Sequence, residues 1–522
     1  MNNKGETLDN RSYFQELLDK AASFYKSIEA DKVIRVIAHL DADGIAACSI
    51  LCKLLVAEKR KFVVSIMNDL RQSFLQKLSS EHYAYYIFLD LGSANILGLE
   101  KNLPDKKMLV IDHCYADKND DRGYNLENVS SIKSDNLVHV NPYLVGIDGS
   151  KEVSSAGMVY LLCVKMNDAL EGTNAADAIS QVISNNTDVT DSINLLALVG
   201  AMGDHQDSGG FIGLNKILLD KAIEKNILTK TQSLTIIRDM NQPLHKMLEY
   251  CINPVLPGIT GSEGETLSFL AGLGINPKHD NSWKICAHLA EADIEKIKTA
   301  LQNKFMDKSF ISSLYGDNYL VTRNFASIGN NLKEISAIIK ACGRLSNAAL
   351  GLSICMDIGN NNSNNTVSNF ALLAKKCNDE YRDKLLSVLA WYAKNKDSPS
   401  LMKGNGYLIV NLTMMRDFNA NLLDKAIEMI SIIGEVQANT LVLGLAAANN
   451  ESTKVSLCYL GQDKESSPKL DKILKEIAEQ VNGELIGNRH VTGALIAREK
   501  EMDFIKIARK VLESRAMEEI IR

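Results

Sequence analysis

The sequence predicts an α/β protein, and three observations carry that reading. Strand-like apolar runs alternate with helical patterns between residues 32 and 112, the order that builds a parallel sheet with helices on its faces. A second alternation of this kind begins at Gly404 and continues to about residue 515. Between the two lies a long stretch, 211–335, whose apolar spacing is mostly helical.

Taken in order, residues 11–29 read as an amphipathic helix. Strand-like segments follow at 32–40, 83–90 and 106–112, separated by helical patterns at 45–59 and 71–79. A fourth strand, Leu137–Val140, runs into the turn signal Asn141-Pro142-Tyr143. DGSKEVSSAGMVYLLCVKM (148–166) reads as a loop and then a helix capped by Ser154 or Ser155. NLLALVGAMGDHQDSGG (194–210) is an apolar helix ending in a small-residue loop with Asp204 and Asp207. The stretch 211–335 is broken at Pro254, Pro257, Gly258 and Pro277 and reads as a largely helical insert. Residues 332–355 give one or two buried helices interrupted at Gly343, and GNNNSNNTVSN (359–369) is a polar loop. A charged helix at about 370–396 serves as a connector. Beyond Gly404, strands are expected at 406–412, 440–446, 454–460 and 493–498, with helices at 420–432, 468–481 and 501–515.

Composition narrows the function classes. At 522 residues the chain exceeds one ordinary core, so several domains are expected. No apolar run approaches the roughly 18 residues that cross a bilayer, and the polar start MNNKGETLDNRS lacks a secretory core; a cytoplasmic protein without membrane partners is expected. The ten cysteines are scattered with no CxxC pair, which argues against a zinc ribbon or disulfide framework. A net charge of −6 argues against a surface coated for non-specific duplex binding, though a local groove can still be basic.

The chemistry concentrates at strand ends. His39-Leu40-Asp41-Ala42-Asp43-Gly44 follows the run VIRVIA, Asp90 ends YIFLD, and Asp112-His113-Cys114 follows MLVI. Active sites of parallel sheets lie at the carboxyl ends of strands. In an extended strand His39 and Asp41 point to the same side, and Asp43 follows in the turn. Either motif alone would be an ordinary turn or cap; their joint occurrence at three successive strand ends is much harder to dismiss. Imidazoles with several carboxylates and no thiolate pair suit Mn²⁺ or Mg²⁺. There are enough ligands for two ions at ~3.5–4 Å bridged by one carboxylate, a site suited to cutting a phosphate ester.

HxDxDG, then Asp-x-Gly after a strand, then Asp-His, then SSAG (154–157), then a glycine-containing helix ending in Gly203-Asp204 resembles the DHH phosphoesterase superfamily. More narrowly, NPYLVGIDGSKEVSSAG (141–157), LALVGAMGDHQDSGGFIGLN (196–215) and EISAIIKACGRLSNAALGL (334–352) resemble the archaeal RecJ-like group, which includes the GINS-associated nuclease. The resemblance implies a parallel-sheet DHH domain at 1–210 and a largely helical insert at 211–335. It implies a helical return and connector at 336–400 and a C-terminal DHH-associated α/β domain at 401–522. By position, His39, Asp41 and Asp90 would hold one ion; Asp43, Asp90, His113 and Asp204 would hold the other, with Asp90 bridging. Asp112 would orient His113, and Ser155 and Gly157 would place helix-start N–H groups against a phosphate. Arg344 is a further candidate phosphate contact. So are Arg489 and His490 in GNRHVTGALI (487–496), which is similar to the glycine-histidine motif of the DHH-associated domain.

Cys114 stands where the signature has its second histidine, the residue that in relatives faces the scissile phosphate. A thiol cannot serve as a cationic donor at neutral pH, so metal binding is expected to survive and turnover to fall or substrate preference to change. The resemblance implies a two-metal exonuclease acting on single-stranded DNA or RNA and linked to replication or repair through GINS. The alternative is a weakly active or inactive scaffold of the MCM–GINS helicase assembly. A minor alternative is a phosphodiesterase for oligoribonucleotides or cyclic dinucleotides.

Overall fold

The computed structural model describes the chain except for residues 1–2, 115–135, 169–186, 280–281, 305–313, 323–327, 360–368, 434–435, 438, 461–468, 487–491 and 522. It divides into two units. The first comprises Met1–Ser233 and Gly316–Asn378, the second Leu234–Tyr315 and Asp379–Arg522.

In the first unit the chain runs α1 (Asn3–Lys26), β1 (Ile34–His39), α2 (Ala42–Ala57), β2 (Phe62–Met67), α3 (Gln72–Ser79), β3 (Tyr85–Leu89), α4 (Ile96–Asn102), β4 (Lys107–Ile111) and β5 (Leu137–Val140). The five strands form one parallel sheet in the order β2-β1-β3-β4-β5. Its apolar strands bury both faces, as parallel sheets do. Ile34, Val36, Ile87, Leu89, Leu109 and Ile111 enter the larger core, under α1 and α2. Ile37, Tyr86, Phe88, Met108 and Val110 enter a second core with Leu75 and Leu78 of α3 and Leu99 of α4. The sequence reading passed over β2, a half-exposed edge strand. Because β2 sits outside β1, the carboxyl ends of β1, β3 and β4 lie side by side.

Helices α5 (Ser155–Asp168), α6 (Thr187–Gly203) and α7 (Gly213–Glu224) follow, and then β6 (Leu228–Leu234) pairs with β7 (Tyr315–Val321). These two strands interrupt the stretch expected to be mostly helical; the threonines of LTKTQSL favour extended backbone. α8 (Leu332–Arg344) and α9 (Ala348–Asp357) return to the first core, followed by α10 (Asn369–Lys394).

The interruption expected at Gly343 begins just after it, where α8 ends at Arg344 ahead of α9 at Ala348, and Gly343 itself makes a close approach. A Cβ there would fall 1.7 Å from the Leu40 carbonyl oxygen. On α6, a Cβ at Gly200 would fall 2.2 Å from Asp43 Oδ1. Two bare helix positions therefore clamp the loop after β1. Lys53, from α2, adds a clasp by donating from Nζ to the carbonyls of Met356 and Ile358 at the end of α9, each at 2.8 Å. Its long stem crosses apolar surface while its head meets orphan helix carbonyls.

In the second unit, helices Leu244–Glu249, Glu263–Gly272 and Glu291–Lys304 and a short hairpin enclose a core of Leu248, Leu256, Leu270, Ile297 and Leu301. The C-terminal part adds β8 (Leu401–Gly404), β9 (Tyr407–Asn411), α11 (Leu423–Ile433), β10 (Thr440–Ala447), β11 (Ser452–Leu460), α12 (Leu470–Glu479), β12 (Glu484–Ile486), β13 (Thr492–Ala497) and α13 (Glu501–Ile521). Its sheet order is β8-β9-β10-β11-β13-β12, parallel only between β9 and β10. Among the described residues no helix is long and apolar enough to cross a membrane.

The clamp gives a stability prediction. Gly343→Ala must push Leu40 or α8 aside and should cost about 1–3 kcal/mol in urea unfolding, the range of an overpacked core. Gly264→Ala, where a Cβ meets nothing within 4 Å, should cost nothing. Equal midpoints for the two variants would refute the clamp.

Candidate metal centre

The residues after β1 build the first part of the site. Asp41 is the N-cap of α2 in extended backbone, its Oδ1 accepting from the Gly44 N–H at 3.0 Å. Its other oxygen, Oδ2, lies 2.9 Å from His39 Nδ1. Asp90 follows β3 in the left-handed region at φ 61°, a conformation aspartate tolerates better than most residues. This turn aims Oδ2 at His39 Nδ1, 3.3 Å away, while Oδ1 lies 3.4 Å from His113 Nε2. One carboxylate thus faces both histidines.

Asp43 lies fully buried in the first turn of α2. Its Oδ2 accepts from the Ser155 N–H at 2.7 Å and its Oδ1 from the Ala156 N–H at 3.0 Å. The amides at the start of α5, expected to meet a phosphate, are thereby given to Asp43, a carboxylate well placed at a helix N-terminus. Ser155 Oγ donates to Asp90 Oδ1 at 3.0 Å. The Gly157 N–H donates to the cap Ser154 Oγ, and a Cβ added there would meet Val153, Leu218 and Asn215. Ser155 therefore supports the carboxylates, and Gly157 is occupied within its own helix.

Asp204 stands just past the end of α6, with Oδ2 at 2.9 Å from His113 Nε2; Asp43 Oδ2 is 3.7 Å from the same nitrogen. Two groups result, Asp43–Asp90–His113–Asp204 and His39–Asp41–Asp90, each offering ligand atoms within 4.8 Å of one another. All six side chains singled out as candidate ligands come together, and Asp90 belongs to both groups.

The His113 ring is held from behind. Its Nδ1 lies 2.6 Å from the Gly149 carbonyl, which can only accept, so Nδ1 carries the proton and Nε2 turns towards the carboxylates. Asp204 Oδ2 is buried, with His113 Nε2 against it. Two lone pairs at 2.9 Å require something positive between them. A proton on Nε2 meets that need: burial opposes it, yet Asp204 and Asp90 hold the His113 imidazolium well above its ordinary range. A divalent cation would meet the need equally, and imidazole with carboxylates is a donor set that hard ions accept.

The other groups show the same crowding. Burial and the neighbouring Asp41 push the Asp90 carboxyl up to about 6. Burial, then Asp90 and Asp204, push Asp43 well above the carboxylate range. For Asp41, burial works the other way, but His39 holds its carboxyl well below the usual value.

Asp112 does not orient the His113 ring. Its Oδ2 accepts from the Ser93 N–H at 2.9 Å and its Oδ1 from the Cys114 N–H at 3.0 Å. Asn141 Nδ2 donates to the Cys114 carbonyl at 3.0 Å, so the backbone at 114 is fixed on both sides. Burial and the Asp112 carboxylate keep the Cys114 thiol protonated, well above its ordinary range. Arg344 ends α8 beside Gly343, which abuts the Leu40 carbonyl next to the His39–Asp43 stretch. Arg489 and His490 lie outside the described residues. Sequence reasoning overlooked Gly149 and Gln206 behind His113. The position of Gln206, two residues after Asp204, was the available signal.

The family model of the DHH-CID domain matches residues 239–313, inside the segment expected as an insert. CDC45 from Entamoeba histolytica superposes with a TM-score of 0.59 at 12% identity, covering 96% of this chain and 99% of that one. The exonuclease RecJ bound to manganese gives a TM-score of 0.52 at 14% identity, covering 96% and 94%. An uncharacterized protein of Methanocaldococcus jannaschii is 26% identical over 327 residues, 62% of this chain and 64% of that protein's own length. The chain shares its fold with RecJ and CDC45, and its residues 239–313 match the DHH-CID domain.

Proposed function

We propose that this chain is a divalent-metal-dependent phosphodiesterase of the RecJ type, an exonuclease on single-stranded DNA or RNA. One observation carries the reading: two ligand groups share Asp90, and Asp204 Oδ2 is buried 2.9 Å from a histidine nitrogen. Four carboxylates, Asp41, Asp43, Asp90 and Asp204, match the charge of two divalent ions. His39, Asp41 and Asp90 hold one ion, and Asp43, Asp90, His113 and Asp204 the other. RecJ bound to manganese has the same fold, and Mn²⁺ or Mg²⁺ suits these donors. When bound, two such ions supply an activated water and charge neutralisation at the phosphate. The protein's own part is to fix the ligands before substrate arrives. The α5 amides hold Asp43, Ser155 holds Asp90, the α2 start holds Asp41 and Gly149 holds His113. Cys114 occupies the position next to this cluster with a neutral thiol, so it presents no positive charge to a phosphate.

That thiol favours a second reading, in which the fold persists chiefly as a scaffold that joins GINS and, through it, MCM. The two readings separate in one experiment. End-labelled single-stranded DNA and RNA are incubated with Mn²⁺, Mg²⁺ or EDTA, beside a pull-down with GINS. Metal-dependent shortening from an end supports the nuclease; GINS capture with no cleavage in any metal supports the scaffold.

Three outcomes are expected. Asp43→Ala and Asp204→Ala should each lower Mn²⁺-dependent cleavage by at least about 10²-fold, the worth of one fixed electrostatic contact to the reacting centre. Undiminished digestion by either variant would remove the site assignment. Cys114→His should raise cleavage by roughly 10²-fold, since it restores one positioned donor on an unchanged backbone, while Mn²⁺ affinity measured by calorimetry stays put. A parallel gain in metal affinity would show that residue 114 acts as a ligand instead.

The third concerns pH. Asp90 is pushed up to about 6 when folded, so its contribution to stability is fully present below the ordinary carboxylate range and lost as pH rises through about 6. His39 and His113, also raised, act in the same direction. A cation replaces the lost protons, so Mn²⁺ should raise Tm more at pH 8 than at pH 5 in thermal scans. A larger rise at pH 5 would contradict the charge argument.

A further inference from the structure

We infer that Gln206 is a positioning residue that sets which nitrogen of His113 faces the cations; this rests on the metal reading above. The His113 Nδ1–H donates to the Gly149 carbonyl at 2.6 Å, and Gly149 belongs to a loop outside any helix or strand. Something must hold that carbonyl. Gln206 Nε2 donates to it at 2.9 Å and lies 3.4 Å from the Val153 carbonyl. Both neighbours are pure acceptors, so this end of the amide must be the NH₂ group. Its Oε1 then accepts from Asn215 Nδ2 at 2.5 Å, and the Asn215 N–H donates to the Glu152 carbonyl at 2.8 Å. Gln206 is 3% exposed and Asn215 fully buried, so water does not replace these bonds.

The arrangement is directional at each step. Asn215 fixes the Gln206 amide, Gln206 fixes the Gly149 carbonyl, and that carbonyl fixes the proton on His113 Nδ1. Nε2 is left as the donor atom towards Asp204, Asp90 and Asp43. Asp204 and Gln206 occupy the same turn after α6, so one turn supplies a ligand and also sets the tautomer of another. His39 has no part in this chain; Asp41 and Asp90 face its ring instead.

Gln206→Leu keeps the volume and removes both bonds, and Asn215→Asp removes the donor to Oε1 while leaving Gln206 in place. Two readouts test them. The first is hydrogen exchange of the His113 Nδ1–H by NMR on metal-free protein with ¹⁵N-labelled histidine. The second is Mn²⁺ titration by calorimetry. Both variants should exchange the His113 ring proton roughly ten-fold faster. They should bind the ion at Asp43–Asp90–His113–Asp204 about 10–100-fold more weakly, the usual effect of losing a partner behind a ligand. The ion at His39–Asp41–Asp90 should be unaffected, a selectivity that general loosening of the fold would not produce. Unchanged exchange, or equal weakening of both ions, overturns the inference. Faster exchange with no Mn²⁺ bound even by the unaltered protein would sink the metal reading and leave the positioning role standing.

Discussion

Charge crowding governs this protein. Asp41, Asp43, Asp90 and Asp204 meet with only two imidazoles between them, in a site that excludes most water. Two like charges 4 Å apart repel by about 4 kcal/mol at the effective dielectric of a protein surface, several times the net worth of a hydrogen bond. The backbone and Ser155 contacts described above therefore cannot offset the repulsion; they only decide where each carboxylate sits. The rest must come from protons or cations, and the raised Asp43, Asp90, His39 and His113 are the protonic answer. Much of the first unit serves that crowding. The left-handed turn at Asp90, the bare positions Gly200 and Gly343 and the caps of α2 and α5 all hold acidic groups closer than they would choose.

How much of this could be read beforehand followed the range of the interactions. β1, β3 and β4 were legible because a doubly buried strand must be apolar throughout, and ligands at strand ends announce themselves by position. The convergence of His39, Asp41, Asp43, Asp90, His113 and Asp204 followed from the same logic. β2 was not legible: an edge strand such as FVVSIM carries a weaker apolar constraint. The break beside Gly343 was legible but its close packing was not, because sequence shows the missing side chain and not what approaches it. The partners of Asp112 and of the α5 amides were hidden for a similar reason. A carboxylate's choice between a ring and a backbone N–H depends on angstrom-scale placement that no spacing encodes.

A shared fold does not by itself decide activity. The difference must lie in side chains. Cys114 is where this chain departs, and its surroundings are rigid: Asp112 and Asn141 hold its backbone, and Ser93 links the two through its own amide and hydroxyl. A fixed backbone with an altered side chain alters chemistry without altering shape.

Lys53 and the two carbonyls it clasps bear on how the molecule comes into being. The bond from Lys53 to Met356 spans 303 residues of sequence, and the Leu40–Gly343 contact just as many. During synthesis the sheet and α2 emerge long before α8 and α9. The loop bearing His39, Asp41 and Asp43 therefore lacks its back wall until more than half the chain has left the ribosome. Closing so long a loop is slow. A nascent chain would hold an incomplete site for most of its synthesis, and the cluster would be completed only as the returning helices dock.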